Sequence, residues 1–549
     1  MNTTRPILDV AADLGLGPDL VAPHGHHRAK VALDALPSDG ASGDAVKKAK
    51  YVLVTAVTPT GAGEGKTVSS IGLAMGLSRR GRRAVATLRM SSLGPTFGAK
   101  GGGAGGGESR IEPLDECLLG LGADLFAVES ANNLLAAVVD DVVHRHLPSS
   151  PEPSSVTWRR VVDVDDRALR QIVAGLGGRL NGPLRETGFD ITAASEVMAV
   201  LSMAHDLRDL RRRLGEIVVG FDAGGKPVRA EDLGAAGAMA ALLRRAAEPN
   251  LLQTCEGTPV MVHGGPFANI AQGNSTVIAD RIVLPRAEYV VTEGGFGADL
   301  GAEKFLDLKC RASGFAPDAI VLIATVRAVK SHASGTAAAA GGAAAVEDGS
   351  ANLRRHVRNL RQYGVPVVVG VNRFPDDTAD ELAAVRAAAL AEGAVACVEH
   401  EAFARGGAGA EALAEAVEEA CTRPASFAPL YALEDSIEAK VHALATKIYG
   451  AADVHWEPAA AKARARFEDA GYGQLPVCVA KTHLSLSHDP SVKGAPTGYT
   501  LPIREARLYA GAGFITVLAG DIITMPGLPG HSHFAGIDLD AAGNVVGLV

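Results

Sequence analysis

The sequence lacks the features that would send a chain to a membrane, to nucleic acid or to a disulfide-bonded exterior. No uncharged apolar run reaches the roughly 18 residues that a membrane-spanning helix needs. The longest candidate, residues 508–520, is broken by glycines and reads as a buried strand. Positive charge is not in excess: the formal net charge is −9, which argues against nonspecific nucleic-acid binding and leaves room only for a local basic pocket. The six cysteines are scattered with no CxxC pair, and none of the 16 histidines falls in HExxH, so neither a disulfide framework nor a zinc site is expected. Reduced thiols of this kind fit a cytoplasmic protein. The histidine clusters at 24–27 and 531–533 read as exposed loop residues rather than ligands. The N-terminus has no charged lead before an apolar core, so no signal peptide is expected.

Glycine, by contrast, is abundant. Its 64 residues must be accounted for in loops, because glycine weakens helices and strands. At 549 residues the chain exceeds a single hydrophobic core, and two to four domains are expected. Short β-branched runs at 51–57, 83–88, 217–220, 289–292, 319–325, 365–371 and 394–398 predict strands. Most are continuously apolar rather than alternating, as in a parallel sheet covered on both faces. Helical stretches at 67–79, 195–213 and 380–391 lie between them, giving an α/β pattern with crossover helices. Residues 335–345 (GTAAAAGGAAA) are low in complexity and read as a loop or linker, and the first 45 residues as a helical extension.

The first predicted strand runs into Thr58-Pro59-Thr60-Gly61-Ala62-Gly63-Glu64-Gly65-Lys66-Thr67 and then a helix. Glycines let backbone N–H groups turn inward around phosphate oxygens, and a helix N-terminus adds its positive end. Thr58, Gly61, Gly63, Glu64 and Gly65 are therefore candidate nucleotide contacts, with Lys66 reaching the β/γ-phosphates and the Thr67 hydroxyl on Mg²⁺. The strict phosphate-loop pattern places glycine where Thr60 stands, so the strand–loop–helix context carries much of the assignment. The loop specifies nucleotide binding without specifying a reaction.

The next strand ends in Arg89, followed by Met90-Ser91-Ser92-Leu93-Gly94-Pro95-Thr96-Phe97-Gly98-Ala99-Lys100 and a glycine-rich run to Gly107. Here the sequence resembles the formate–tetrahydrofolate ligase (10-formyltetrahydrofolate synthetase) family, whose motifs read PTPAGEGKTT and LREPSLGPxFGxKGGAAGGG. The resemblance runs from about residue 50 to the C-terminus. It takes in Arg185-Glu186-Thr187-Gly188-Phe189-Asp190, His263-Gly264-Gly265-Pro266-Phe267-Ala268-Asn269-Ile270-Ala271, residues 296–305, Asn372-Arg373-Phe374-Pro375 and Thr524-Met525-Pro526-Gly527-Leu528-Pro529. It implies that formate attacks the γ-phosphate of MgATP to give formyl phosphate, which then formylates tetrahydrofolate. On that resemblance Lys66, Arg89 and Gln272 are the catalytic candidates, and Phe374 and Phe403 are the aromatic faces for folate. Either phenylalanine reads equally as a core side chain. The resemblance also implies a homotetramer activated by a monovalent cation, K⁺ or NH₄⁺. The expected fold is α/β: a P-loop NTPase-like, mostly parallel sheet flanked by helices, plus two smaller α/β domains. The expected division is a large nucleotide-binding domain at 1–360, a second domain at 361–455 contributing to the folate site, and a third at 456–549.

Departures from the family pattern cluster near the chemistry. Met90-Ser91 stands for Glu-Pro, Glu108 for a tyrosine and Gln272 for a histidine. A glutamine hydrogen-bonds an oxyanion but does not relay protons near neutral pH. Two alternatives therefore stand beside the ligase: a P-loop ATPase of the deviant class, and a degenerate paralogue that binds nucleotide or folate. Other charged groups have structural readings. Arg211-Arg212-Arg213 reads as a solvated helix end, and Asp299 and Glu303, beside Lys304, as a capping and salt-bridge set. Lys481-Thr482-His483 is open between an anion contact and a loop.

Overall fold

A computed structural model describes residues 4–37, 43, 46–61, 63–98, 103–146 and 153–548. Ala62 of the phosphate loop and Ala99, Lys100, Gly101 and Gly102 of the glycine-rich run lie outside the described residues. The spine is a sheet built from Val21–His24 (β1), Arg28–Val31 (β2), Lys50–Ala56 (β3), Ala84–Leu88 (β4), Asn250–Thr254 (β5), Pro259–Val262 (β6), Tyr289–Glu293 (β7), Ala319–Ala324 (β8), Val367–Asn372 (β9) and Ala396–His400 (β10). The order across it is β1-β2-β5-β6-β4-β7-β3-β8-β9-β10, and a hairpin of Gly105–Gly106 and Ser109–Glu112 joins at β5. From β6 to β10 every neighbouring pair is parallel, while β1, β2, β5 and β6 pair antiparallel. The continuously apolar runs therefore form the strands they predict: β3, β4, β8 and β9 bury nearly every residue, with helices on both faces.

The sequence reading needs correction at five places. The N-terminal segment is not simply helical: the helix Ile7–Asp13 is followed by the β1–β2 hairpin, turned at Gly25 (φ 72°) and hydrogen-bonded to the sheet through β2. Residues 217–220 do form a strand, Val218–Phe221, but in a separate antiparallel sheet with Pro227–Arg229 and Ser155–Val156. The helix expected over 195–213 is two, Glu196–Met203 and Leu207–Glu216, because the Asp206 carboxylate caps a new N-terminus by accepting from the Asp209 N–H. Residues 335–345 are helical, Gly335–Ala340 and then Gly342–Arg361, with alanine propensity prevailing and Gly341 (φ 67°) setting only the break. The apolar run at 508–520 is two antiparallel strands, Glu505–Tyr509 and Phe514–Leu518, turning through Gly513 (φ 84°).

Strands β9 and β10 extend the sheet past residue 360, so the expected division at that point crosses a continuous hydrogen-bonded layer. Among the described residues no helix is long and apolar enough to cross a membrane, and all six cysteines are free.

The core beneath the sheet is not wholly apolar. Asp280, on the helix Val277–Val283, accepts a hydrogen bond from the Tyr51 hydroxyl at 2.6 Å and pairs with Lys309 Nζ at 2.6 Å, all of it buried. A buried ion pair contributes little net stability while intact, yet removing one partner strands the other charge at a cost of about 3–5 kcal/mol. Asp280→Ala is therefore expected to lower the urea midpoint sharply. Combining it with Lys309→Met should recover most of the loss, and equal midpoints for the two variants would contradict this account.

Candidate functional site

The site lies at the C-terminal ends of β3, β4, β7 and β9, where the strand order reverses about β3: the chain goes to β4 on one side and later to β8 on the other. Open α/β sheets bind ligands in the crevice at such a switch. Strand β3 runs through the phosphate loop into the helix Lys66–Arg79, whose N-terminal residue is preceded by Gly65 in the left-handed region (φ 75°). A Cβ at Gly65 would strike the Asn372 amide, so glycine is required there by both backbone and space.

Neutral buried groups hold the loop at both ends. The Thr58 oxygen accepts from Asn352 Nδ2 at 2.9 Å and is hydrogen-bonded to His356 Nε2 at 3.0 Å. Thr58, read as a nucleotide contact, thus spends its side chain on anchoring the loop. At the other end His400 Nε2 lies 3.1 Å from Ser69 Oγ, whose hydroxyl donates to the Gly65 carbonyl at 2.9 Å. Asn372 Nδ2 donates to the Glu64 carbonyl at 3.1 Å. Within the loop the Glu64 carboxylate is turned back, accepting from the Thr60 N–H at 2.7 Å and hydroxyl at 2.9 Å. Thr60, standing where the strict pattern has glycine, thus closes this turn through its N–H and hydroxyl. Gly61 and Gly63 are exposed, and the hydroxyl-bearing Thr67 is half-buried on the first turn of the helix.

Lys66 and Arg89 come together as the sequence reading requires, around a carboxylate it did not single out. Glu293 ends β7, between β3 and β4. Burial lowers the Lys66 ammonium below its ordinary range, opposed by Glu293 and Glu64 and assisted by Arg89. Burial likewise lowers Arg89, opposed by Glu293. Glu293 Oε2 is buried and finds no hydrogen-bond partner among the described residues. The signal for Glu293 was present in the sequence: an acid terminating the apolar run at 289–292, ahead of Gly294-Gly295.

The Arg89 guanidinium donates to the Pro266 carbonyl at 2.9 Å and lies over Gly295, where a Cβ would come within 2.7 Å of Nη2. The Gly295 N–H donates to the Gly273 carbonyl at 3.1 Å, so Gln272 belongs to the loop against which Arg89 is laid. Gln272 is fully buried, and neither its oxygen nor its nitrogen has a partner among the described residues. A buried amide is costly to leave unpaired, so Gln272 holds unused hydrogen-bonding capacity.

Phe374 and Phe403 follow the C-terminal ends of β9 and β10. Phe374 carries the Arg327 guanidinium 3.6 Å from its ring centre, and Phe403 is 57% exposed, so neither is a core side chain. Asp299 and Glu303 lie on a π-wound turn, Ala298–Ala302, and its continuation. Asp299 pairs with Lys481 at 2.5 Å, both buried, which makes Lys481 the lysine that locks the C-terminal region onto the nucleotide loop's neighbour. His483 stacks on Phe296, ring centres 4.7 Å apart, and Phe296 holds a left-handed backbone (φ 57°). Of the departures, Met90 is buried, Ser91 Oγ accepts from the Gly103 N–H at 2.8 Å, and the Glu108 N–H donates to the Phe403 carbonyl at 2.8 Å. Arg211 pairs with Glu231 and Arg212 with Asp209 on the exposed face expected at this helix end, whereas Arg213, with its side chain 13% exposed, pairs with Asp209 and donates to the Ala512 carbonyl at 3.2 Å, so it is packed rather than solvated.

A sequence model described as formate–tetrahydrofolate ligase matches residues 1–549. The chain is 54% identical over 556 residues to the formate–tetrahydrofolate ligase of Roseiflexus sp. (strain RS-1), covering 99% of this chain and 98% of that protein. It is 51% identical over 556 residues to that of Saccharopolyspora erythraea, covering 99% and 97%. With the ligase of Chloroflexus aggregans the identity is 50% over 562 residues, covering 99% and 98%.

His356 and His400 give the loop a pH dependence. Burial holds each imidazole neutral, with pKa lowered to about 4. Unfolded histidine titrates near 6.5, so between about 6.5 and 4 the unfolded chain binds more protons than the folded one and stability falls as pH falls. The thermal midpoint is expected to drop across that window, and less steeply in His356→Gln and His400→Gln. Parallel pH profiles for wild type and both variants would remove these two histidines from the account.

Proposed function

The chain belongs to the formate–tetrahydrofolate ligase family, and from that premise we propose how its residues divide the work. The reaction is the ATP-dependent ligation of formate to tetrahydrofolate. A formate oxygen attacks the γ-phosphorus and ADP departs. The N10 amine then attacks the formyl carbon, and phosphate leaves with that formate oxygen.

The observation that carries the assignment is the convergence of Lys66, Arg89 and Glu293 at the open end of the helix Lys66–Arg79, with the loop that carries Gln272 hydrogen-bonded to Gly295 under Arg89. Two anions must meet there, so the cations have to neutralise charge that develops on the phosphoryl group in flight. The backbone N–H of Gly65 and the Lys66 ammonium take the β/γ-phosphates, with Gly61 and Gly63 bordering the loop and the Gly63 N–H donating to the Thr60 carbonyl at 3.1 Å. Arg89, fixed by the Pro266 carbonyl, is aimed at the transferring group. The Gln272 amide donates to the acyl phosphate oxygen and needs no charge change to do so. Mg²⁺ fits this donor set: the Thr67 hydroxyl and the unpartnered Glu293 oxygen are the hard oxygen ligands it prefers. When bound, the metal neutralises the phosphates.

Phe374 and Phe403 are the flanking faces for the folate ring system, and residues beyond 360 supply that wall, which is the sense retained here for the 361–455 division. The third division, 456–549, closes against the turn Ala298–Ala302 through Lys481 and Asp299. A cytoplasmic location and a homotetramer belong to the same proposal.

ADP formation is expected to require both formate and tetrahydrofolate. Arg89→Met should lower kcat by roughly 10²–10³-fold, the scale of losing one preorganised charge-stabilising donor, with MgATP binding retained. Lys66→Ala should weaken MgATP binding itself, and Gln272→Ala should lower kcat more than it raises KM. ADP release that is indifferent to folate would sink the ligase reading, and an Arg89→Met enzyme within a few-fold of wild type would sink the role given to Arg89.

A further inference from the structure

The strands that end at Lys66, Arg89 and Glu293 begin at a second concentration of positive charge. A cleft of about 610 Å³ opens there, and its lining includes Lys48, Lys50, Arg82, Arg83 and Arg286 with one carboxylate, Glu288. Lys50 begins β3, Arg83 precedes β4 and Tyr289 begins β7, with Tyr289 facing Lys50 on one side and Ala84 on the other. The cations are thus spread over three adjacent strand starts, across roughly 10 Å. These strands are five to seven residues long. At about 3.3 Å per residue, roughly 16–23 Å separate the cleft from the phosphate loop. Backbone pairing fixes its floor: the Lys50 N–H donates to the Glu288 carbonyl at 2.7 Å, and the Glu288 N–H to the Arg83 carbonyl at 2.8 Å.

The carboxylates nearby do not balance the cleft. Glu288 accepts from the Arg83 N–H at 2.9 Å and lies 3.7 Å from its guanidinium. Asp318 is divided between Lys47 at 2.7 Å and Lys50 at 3.2 Å. Glu418 is divided between Arg80 at 2.7 Å and Arg82 at 2.5 Å. Among the described residues no carboxylate pairs with the exposed Lys48 or the half-buried Arg286. The Arg286 guanidinium donates to the Ile282 carbonyl at 2.6 Å, and burial lowers its pKa with no acid in opposition. The whole chain has a formal net charge of −9, so this local excess runs against its composition. Cations gathered around a concave surface repel one another and focus their field on an incoming anion.

We propose that this cleft binds a small anion carrying two or more linked phosphoryl groups, at a site separate from the one that holds ATP. A lone phosphate reaches one strand start, whereas linked phosphoryl groups reach several. Arginine forks match phosphate oxygens in pairs, and the lysines add point charges. The volume is that of a small-molecule site. The proposal is independent of the ligase reading, since it concerns binding away from Lys66, Arg89 and Glu293.

A free polyphosphate and a nucleoside diphosphate share this chemistry, so inorganic tripolyphosphate and guanosine diphosphate are titrated separately by calorimetry. The full-length Lys66→Ala chain in magnesium-free buffer weakens the phosphate loop's own hold on such anions. Tripolyphosphate is expected to bind this chain, less tightly as sodium chloride is raised, and to raise its thermal midpoint. Adding Lys48→Gln and Arg286→Gln should weaken that binding roughly tenfold or more while the unliganded midpoint stays close to the parent's. If that variant fails to fold, Lys48→Gln with Arg83→Gln, both at exposed positions, takes its place. Guanosine diphosphate bound more tightly than tripolyphosphate, and lost in the same variants, would support the cleft and identify a nucleotide as its source of phosphoryl groups. Tripolyphosphate that does not bind, or that binds the parent and the cleft variants equally, would overturn the proposal.

Discussion

Bringing a carboxylate up to a triphosphate is opposed by charge, and the arrangement of this molecule is largely a response to that opposition. Positive charge has to be concentrated where the two anions meet, yet cations placed in a buried cleft repel one another and lose hydration. The structure resolves this by setting Glu293 at the end of the strand between those that carry Lys66 and Arg89. The carboxylate opposes the lowering that burial imposes on both cations and offsets their mutual repulsion before the substrates arrive. Its own unpartnered oxygen is available when they do.

Charge at the centre is matched by neutrality in the supports. The phosphate loop is fixed by Asn352, His356, Asn372, His400 and Ser69, groups that bond without adding to the field around the phosphates. The C-terminal region reinforces the same frame. Asn352 donates to the Gly494 carbonyl at 3.0 Å, the Gly494 N–H donates to His332 Nδ1 at 3.0 Å, and Lys481 is bound to Asp299. An acyl phosphate is exposed to hydrolysis unless its surroundings are ordered and closed, and segments from the whole length of the chain contribute to that order.

The legible part of the fold was the part dictated by burial on both faces. Strands β3, β4, β7, β8, β9 and β10 announced themselves as continuous apolar runs, and the phosphate loop by its glycines between a strand and a helix. Strands β5 and β6 escaped notice because Asn250, Gln253 and Pro259 interrupt their apolar pattern, and the polar positions are explained only by the partners they meet across the sheet. The helices at 335–361 were obscured by glycines whose effect was confined to one break. At the site, Lys66 and Arg89 were readable from motif and resemblance. His356 and His400 were not, because each acquires its meaning from a partner hundreds of positions away, and Glu293 left only the signal of an acid ending an apolar run. The departures at Met90 and Gln272 looked like losses in one dimension. In three dimensions Met90 packs its sulfur 4.0 Å from the Asn250 amide, and Gln272 is a buried amide with no partner among the described residues.

The claim on which the rest depends is that formate is activated by direct attack on the γ-phosphate within this cleft. Formate labelled with oxygen-18 tests it in a single turnover with MgATP and tetrahydrofolate. The account predicts that the inorganic phosphate released carries one oxygen from formate, because the bridging oxygen of formyl phosphate leaves with phosphorus. Unlabelled phosphate accompanying formylated folate would contradict it.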